Sequence, residues 1–264
     1  MDRALPGRRF LSVPRVSVPV RLRLFRYALS PRRKYARRRI NMSEIPCTTI
    51  SVNGSDAFAF LQAQLATDIR EVTQQTSRLC AWCNPKGRVI CLPTIIANGG
   101  GFDLTLPADL AEIVGQRLAL YRFRSKVEFM AQPAAGRSMQ AQLARLRGGI
   151  VEISLAQSEK FTPHMLNLDL LNIVSLDKGC YPGQEIVART HYRGVSKRRC
   201  LRFESSAPVA VGDKVSDGER DIGEVVNAIG TDLLAVVPVE AANHALTIGE
   251  IRLSQVELPY STSS

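Results

Sequence analysis

Apolar positions along this chain follow two different periods, and the switch between them divides it. Cys47-Thr48-Thr49-Ile50-Ser51-Val52 is a β-branched run closed by the turn dipeptide Asn53-Gly54, which predicts a strand. Ser55 or Asp56 then stands as the N-cap of a helix whose Phe58, Leu61 and Leu65 fall at i, i+3 and i+7. Residues 79–83 and 88–97 flank Asn84-Pro85-Lys86-Gly87 and predict a hairpin. Gly99-Gly100-Gly101 leads into a strand at 102–106. A second helix follows Pro107, with Leu110, Ile113, Val114, Leu118 and Tyr121 on one face. Residues 126–131 and 150–153 read as strands. Between them the signals conflict, Pro133 and Gly136 against a helical Leu143 and Leu146. After Lys197 the runs become short and alternating: 200–203, 214–215, 223–226, 233–237 and 251–253, with glycines between them. Such spacing predicts a small β-barrel or sandwich, and a domain boundary near 195–199.

With 264 residues, 45% of them hydrophobic, the chain can build two modest domains. No window reaches the roughly 18 apolar residues of a membrane span. Six cysteines without a secretory segment do not read as a disulfide framework, so a reducing compartment is expected. The net charge of +11 is concentrated: residues 1–41 hold 13 Lys and Arg against Asp2 alone. The remainder has 22 bases and 23 acids, so its body gives no electrostatic reason to bind nucleic acid. The arm has three readings: sequence upstream of a start at Met42, an Arg-rich organellar presequence, or a nucleic-acid or membrane tail. In each it is expected to be poorly packed. The first places the protein in the cytoplasm, the second in the mitochondrial matrix.

The chemistry concentrates in Lys178-Gly179-Cys180-Tyr181-Pro182-Gly183-Gln184-Glu185, ahead of an expected helix through Arg189. A thiol in such a Gly-rich turn, near Lys178 and a helix N-terminus, is placed to favour thiolate. The plainer reading is a small buried hydrophobe, but a core strand or helix needs none of these flanking residues. Cys80-Ala81-Trp82-Cys83 is a CxxC without a second pair to complete a four-ligand site, and its residues fit packing better. His164 and His191 lie near the octapeptide, as structural residues or as ligands or acid–base groups. Arg189, Arg193, Lys197, Arg198 and Arg199 make a basic cluster: either a solvated face or a recognition surface for carboxylates.

These motifs, in this order, resemble those of the YgfZ family of folate-binding proteins, whose fold is similar to the T-protein (aminomethyltransferase) of glycine cleavage. The resemblance rests on Lys178 to Glu185 with Ile186-Val187-Ala188-Arg189, on Arg193-Gly194 and Lys197-Arg198-Arg199, and on Phe60 to Leu65 with Asp68. Cys83 to Arg88 and Phe161 to Asp169 support it. It runs from about residue 45 to 259. It implies an α+β fold: a basic extension (1–41), a T-protein-like folate-binding domain with a shortened middle subdomain (42–196), then a small β-barrel (197–260). It also implies tetrahydrofolate as cofactor, and iron–sulfur enzymes or cluster carriers as partners, including an enzyme that thiolates tRNA. On this resemblance Cys180 is the reactive thiol and Lys178 its activator, while Tyr181, Gln184, Glu185, Arg189 and Asn167 are the candidate folate contacts. No membrane or direct nucleic-acid partner is expected.

Three departures bear on activity. The T-protein has an acidic residue shortly after the glycine equivalent to Gly87; here the stretch is Val89-Ile90-Cys91-Leu92-Pro93. Its Glu-Ala-Gly pterin element is matched here only by Arg147-Gly148-Gly149. Some twenty residues stand where longer members carry much of the middle subdomain. The reading is an accessory protein for iron–sulfur enzymes; the alternative is a tetrahydrofolate-dependent one-carbon transferase.

Overall fold

The computed structural model describes residues 44–192 and 196–262. The basic arm and the Arg193-Gly194 pair lie outside them.

The first body is a five-stranded sheet with helices laid against it. Its elements are β1 (Ile45–Asn53), α1 (Ala57–Gln64), β2 (Arg78–Leu79), β3 (Trp82–Cys83), β4 (Val89–Cys91), β5 (Thr94–Asn98), β6 (Gly101–Pro107), α2 (Ala108–Tyr121), β7 (Glu128–Arg137), α3 (Met139–Arg147) and α4 (Gln184–Tyr192). The sheet runs β2-β5-β6-β1-β7, with β1 antiparallel to β6 (Ile50 opposite Leu104) and to β7 (Ile50 opposite Ala131). Leu110, Val114 and Leu118 of α2 are buried in the core with Ile50, Val52, Leu104 and Leu106. The β-branched run at 47–52 thus sits at the sheet's interior, where such residues pack best.

Four expectations change on contact with the structure. Phe58 is 44% exposed; α1 buries Ala57, Phe60 and Leu61 instead. The expected hairpin divides. β3 and β4 pair around the Asn84–Gly87 turn as a separate two-stranded sheet, while β2 and β5 join the main one. The conflicting stretch 132–149 resolves into the long end of β7 and into α3, started by Ser138, whose Oγ accepts from the Ala141 amide at 3.3 Å. Residues 150–153 form no strand. Val151 and Ile153 are buried at period 2, but the Asn227 side chain, not a neighbouring strand, takes both backbone groups of Glu152 (2.9 and 3.0 Å).

The C-terminal strands are β8 (Arg198–Ser205), β9 (Lys214–Ser216), β10 (Asp221–Ile229), β11 (Asp232–Pro238), β12 (Leu246–Ile248) and β13 (Ile251–Val256). They close into a barrel in the order β10-β11-β8-β13-β12-β9. Only β12 escaped the sequence pattern. Side chains alternate across a strand, and β8, β10 and β11 are buried on both faces. Leu201, Phe203, Val225, Leu233, Ala235 and Val237 fill the barrel, while Cys200, Val226, Leu234 and Val236 join the core of the first body. No helix among the described residues is long and apolar enough to cross a membrane.

Candidate functional site

The octapeptide crosses the end of α1 with Lys178 and Tyr181 turned inward and Gly179 and Cys180 exposed between them. Lys178 is buried, and its Nζ donates to the carbonyls of Gln62, Leu65 (2.6 Å) and Thr67 (3.1 Å). The last carbonyls of a helix lack partners within it and carry its negative end, so a single ammonium satisfies the exit of α1. Burial draws the Lys178 pKa down to about 8, with Asp68 acting in the opposite direction. Tyr181 is also buried, its ring centroid 5.5 Å from Lys178 Nζ and its hydroxyl without a partner; burial raises the phenol. Between these two anchors Cys180 is exposed. The three N–H donors of Lys178 are thus committed to carbonyls, not to the thiol.

Gly183 carries φ +82°, and a Cβ there would lie 2.4 Å from the Asn84 carbonyl oxygen and 2.8 Å from Gly87 Cα. The start of α4 and the β3–β4 turn therefore touch backbone to backbone. The turn is held by Asn84, whose Oδ1 accepts from the amides of Lys86 and Arg88 (both 2.9 Å). Gly179, by contrast, faces open space. Gln184 Nε2 donates to the Lys178 carbonyl at 3.5 Å, closing the turn. Glu185 and Arg189 pair on the outer face of α4 at 3.4 Å. Asn167, fully buried at φ +58°, donates to the Cys200 carbonyl (2.7 Å) and the Tyr260 hydroxyl (3.2 Å), tying this region to the barrel.

Beside the octapeptide lies a cavity of about 770 Å³. Asp68, Arg70 and Arg78 line one side, 174–177 another, and Val187 and His191 of α4 a third. His164 and Asp169 belong to its wall as well. Arg199 lies behind that wall, donating to both Asp169 carboxylate oxygens (2.7 and 3.0 Å) and to the His164 carbonyl (2.9 Å). Arg70 grips Asp68 at 2.5 Å and holds its carboxyl well below the usual range. Burial lowers the His164 pKa, opposed by Asp169.

None of Tyr181, Gln184, Glu185, Arg189 and Asn167 lines this cavity. Arg70 and Arg78 do, and no motif singled them out; they arrive from a loop and a two-residue strand. The expected basic cluster is not one surface, since Arg199 is buried against Asp169 while Lys197 and Arg189 are exposed. Cys80 and Cys83 are both buried, and burial pushes both thiols up to about 12, which favours packing over redox chemistry.

No family model matches the chain. An uncharacterized protein of Haemophilus influenzae is 25% identical over 265 residues, covering 80% of this chain and 95% of that protein. The tRNA-modifying protein YgfZ of Yersinia enterocolitica is 26% identical over 275 residues, covering 75% and 82%. The chain is a relative of the YgfZ proteins. YgfZ of Yersinia pseudotuberculosis matches similarly, at 25% over 272 residues, 74% of this chain and 82% of that one. The fold has its own counterpart in the glycine cleavage system aminomethyltransferase T from Bartonella henselae, with TM-score 0.65 and 14% identity over 82% of this chain and 84% of that one. The expected T-protein-like α+β architecture with a C-terminal barrel is therefore the observed one. Among the described residues of this chain, β7 and α3 are the only strand and α-helix at 126–150.

Proposed function

We propose that this chain binds tetrahydrofolate and serves the assembly or maintenance of iron–sulfur enzymes, among them one that modifies tRNA. The observation that carries the reading is the display of Cys180: an exposed thiol in the turn ahead of α4, flanked by the buried Lys178 and Tyr181. An exposed thiol suits a transient bond to a partner, either as thiolate to a cluster iron or by attack on a partner's disulfide, which forms the mixed disulfide and releases the partner's other sulfur as thiolate. One cysteine cannot hold a cluster, so the partner supplies the other ligands. The names of the YgfZ relatives support the tRNA side of the reading. Six free cysteines support a reducing compartment, the cytoplasm.

The adjacent cavity suits a folate in size, since ligand sites span about 300–1,000 Å³, and in charge. Asp177 offers an acceptor to pterin N–H groups, while Arg70, already paired with Asp68, and Arg78, bonded to the Asp68 and Asn172 carbonyls, bring positive charge to the carboxylates of the glutamate tail. Bound tetrahydrofolate would supply a reduced pterin that can accept a one-carbon unit. Aminomethyl transfer has little support from the chain's own residues. Val89, Ile90 and Cys91 are buried in β4, and Glu159, the carboxylate held at the turn, is engaged by Asn84 (2.6 Å) and Arg117 (2.5 Å).

Two measurements test this. Calorimetry should show tetrahydrofolate binding that Arg78→Ala weakens about tenfold, as loss of a charge-assisted pair does; no binding removes the folate half. In a deletion strain, Cys180→Ala should fail to restore iron–sulfur enzyme activity. Full restoration removes the thiol half, and release of methylene-tetrahydrofolate from an aminomethyl donor would favour the transferase instead.

A further inference from the structure

The chain has three histidines, and two of them meet on one wall of the cavity although 27 positions separate them. His164 comes from a one-turn 3-10 helix (His164–Leu166) and His191 from the last turn of α4. Their ring centroids are 6.1 Å apart. Asp169 joins them, with Oδ2 at 3.9 Å from His164 Nε2. Each of the three residues offers a ligand atom within 4.8 Å of the other two. His164 is only 3% exposed, yet neither of its ring nitrogens has a hydrogen-bond partner. A buried polar group left unpaired costs about 1–3 kcal/mol, so an imidazole in this position calls for a partner that no side chain provides.

We infer that His164, Asp169 and His191 form a binding site for a divalent transition-metal ion of the zinc or ferrous class, opening on the cavity. Two imidazoles and one carboxylate are the donor set of such ions, whereas magnesium and calcium take oxygen ligands. Arg199 sharpens the choice. Its fork uses one lone pair on each Asp169 oxygen and leaves the others free, so it orients the carboxylate as outer-shell partners of metal ligands do. It also donates to the His164 carbonyl, fixing a second ligand. Its positive charge, however, disfavours an ion held by charge alone and leaves one held by nitrogen. A tetrahedral site with bonds near 2.0–2.1 Å needs donor separations of about 3.4 Å. His164 and Asp169 are close to that at 3.9 Å. His191, exposed at the end of α4 with its ring edge-on to Tyr192 at 5.2 Å, can close the rest by side-chain rotation. The fourth position faces the cavity. The site opens on the same cavity as the proposed folate pocket but needs no folate to bind its ion.

The test uses the full chain carrying Cys180→Ala, which removes the exposed thiol, stripped with chelator and titrated with Zn²⁺ by calorimetry. One ion per chain is expected. His191→Ala should weaken binding at least tenfold while leaving the metal-free melting temperature unchanged, and His164→Gln should weaken it as strongly. Co²⁺ should give visible ligand-field bands without a thiolate charge-transfer band. The assignment is overturned by absence of stoichiometric Zn²⁺ binding, by undiminished binding in His191→Ala, or by a thiolate band with Co²⁺.

Discussion

Lys178 is the residue whose surroundings most alter its expected part. The sequence places it two positions from the thiol, and proximity in sequence suggests a charge acting on that thiol. The structure turns it toward α1, more than a hundred residues earlier, a direction that no local pattern encodes. Its depressed pKa has a defined signature. Below about pH 8 both folded and unfolded chains hold its proton. Between there and the unfolded value near 10.4 only the unfolded chain holds it, so stability gained from Lys178 rises with pH across that window. Lys178→Met removes this rise. Urea unfolding at pH 7.5 and 10.5 should show the stability of the variant, relative to wild type, falling by up to about 3 kcal/mol. The buried thiols titrate in the opposite sense, but alike in both proteins. The two glycines of the octapeptide should separate just as clearly. Gly183→Ala meets both the left-handed φ and the Asn84 carbonyl and should cost about 2–4 kcal/mol. Gly179→Ala, facing open space, should stay within about 0.5 kcal/mol. Sequence reading treated them as equivalent because glycine looks the same wherever it is used.

At the scale of elements, periodicity located β1, β6, α2 and most of the barrel strands, because their apolar faces meet a core directly. It failed where a side chain replaces a strand. Residues 150–153 alternate as a strand does, yet their ladder is a single amide, Asn227 on β10. Asn227→Ala should therefore cost about 1–3 kcal/mol, and hydrogen exchange at the Glu152 amide should quicken more than at its neighbours. Unchanged exchange there would mean the clamp is dispensable. The cavity was hidden for a related reason. Asp68, Arg70 and Arg78 belong to one short stretch, 174–177 to a second and His191 to a third; only the fold brings them together. Asp68, His164, Asp169 and His191 could be quoted from motifs, but nothing in their spacing showed that they share a wall.

For the whole molecule, the boundary read at 195–199 marks where the strand pattern changes, not where packing ends. Cys200, Val226, Leu234 and Val236 belong to the core of the first body, so residues 44–262 should unfold as one unit. Calorimetry should give a single endotherm whose calorimetric and van't Hoff enthalpies agree; two resolved transitions would show that the barrel melts separately. Tyr260 strengthens the expectation, since its hydroxyl donates to the Gly149 carbonyl (3.1 Å) from the far end of the chain. The doubly buried strands have one more consequence, for how this protein tolerates change. In most barrels, every second position of a strand drifts freely because it meets only water. Along 233–237 of β11 all five positions are enclosed, so a saturation scan there should find consecutive intolerant sites. The freedom to vary should instead gather on β13, whose residues stay partly or wholly open to solvent.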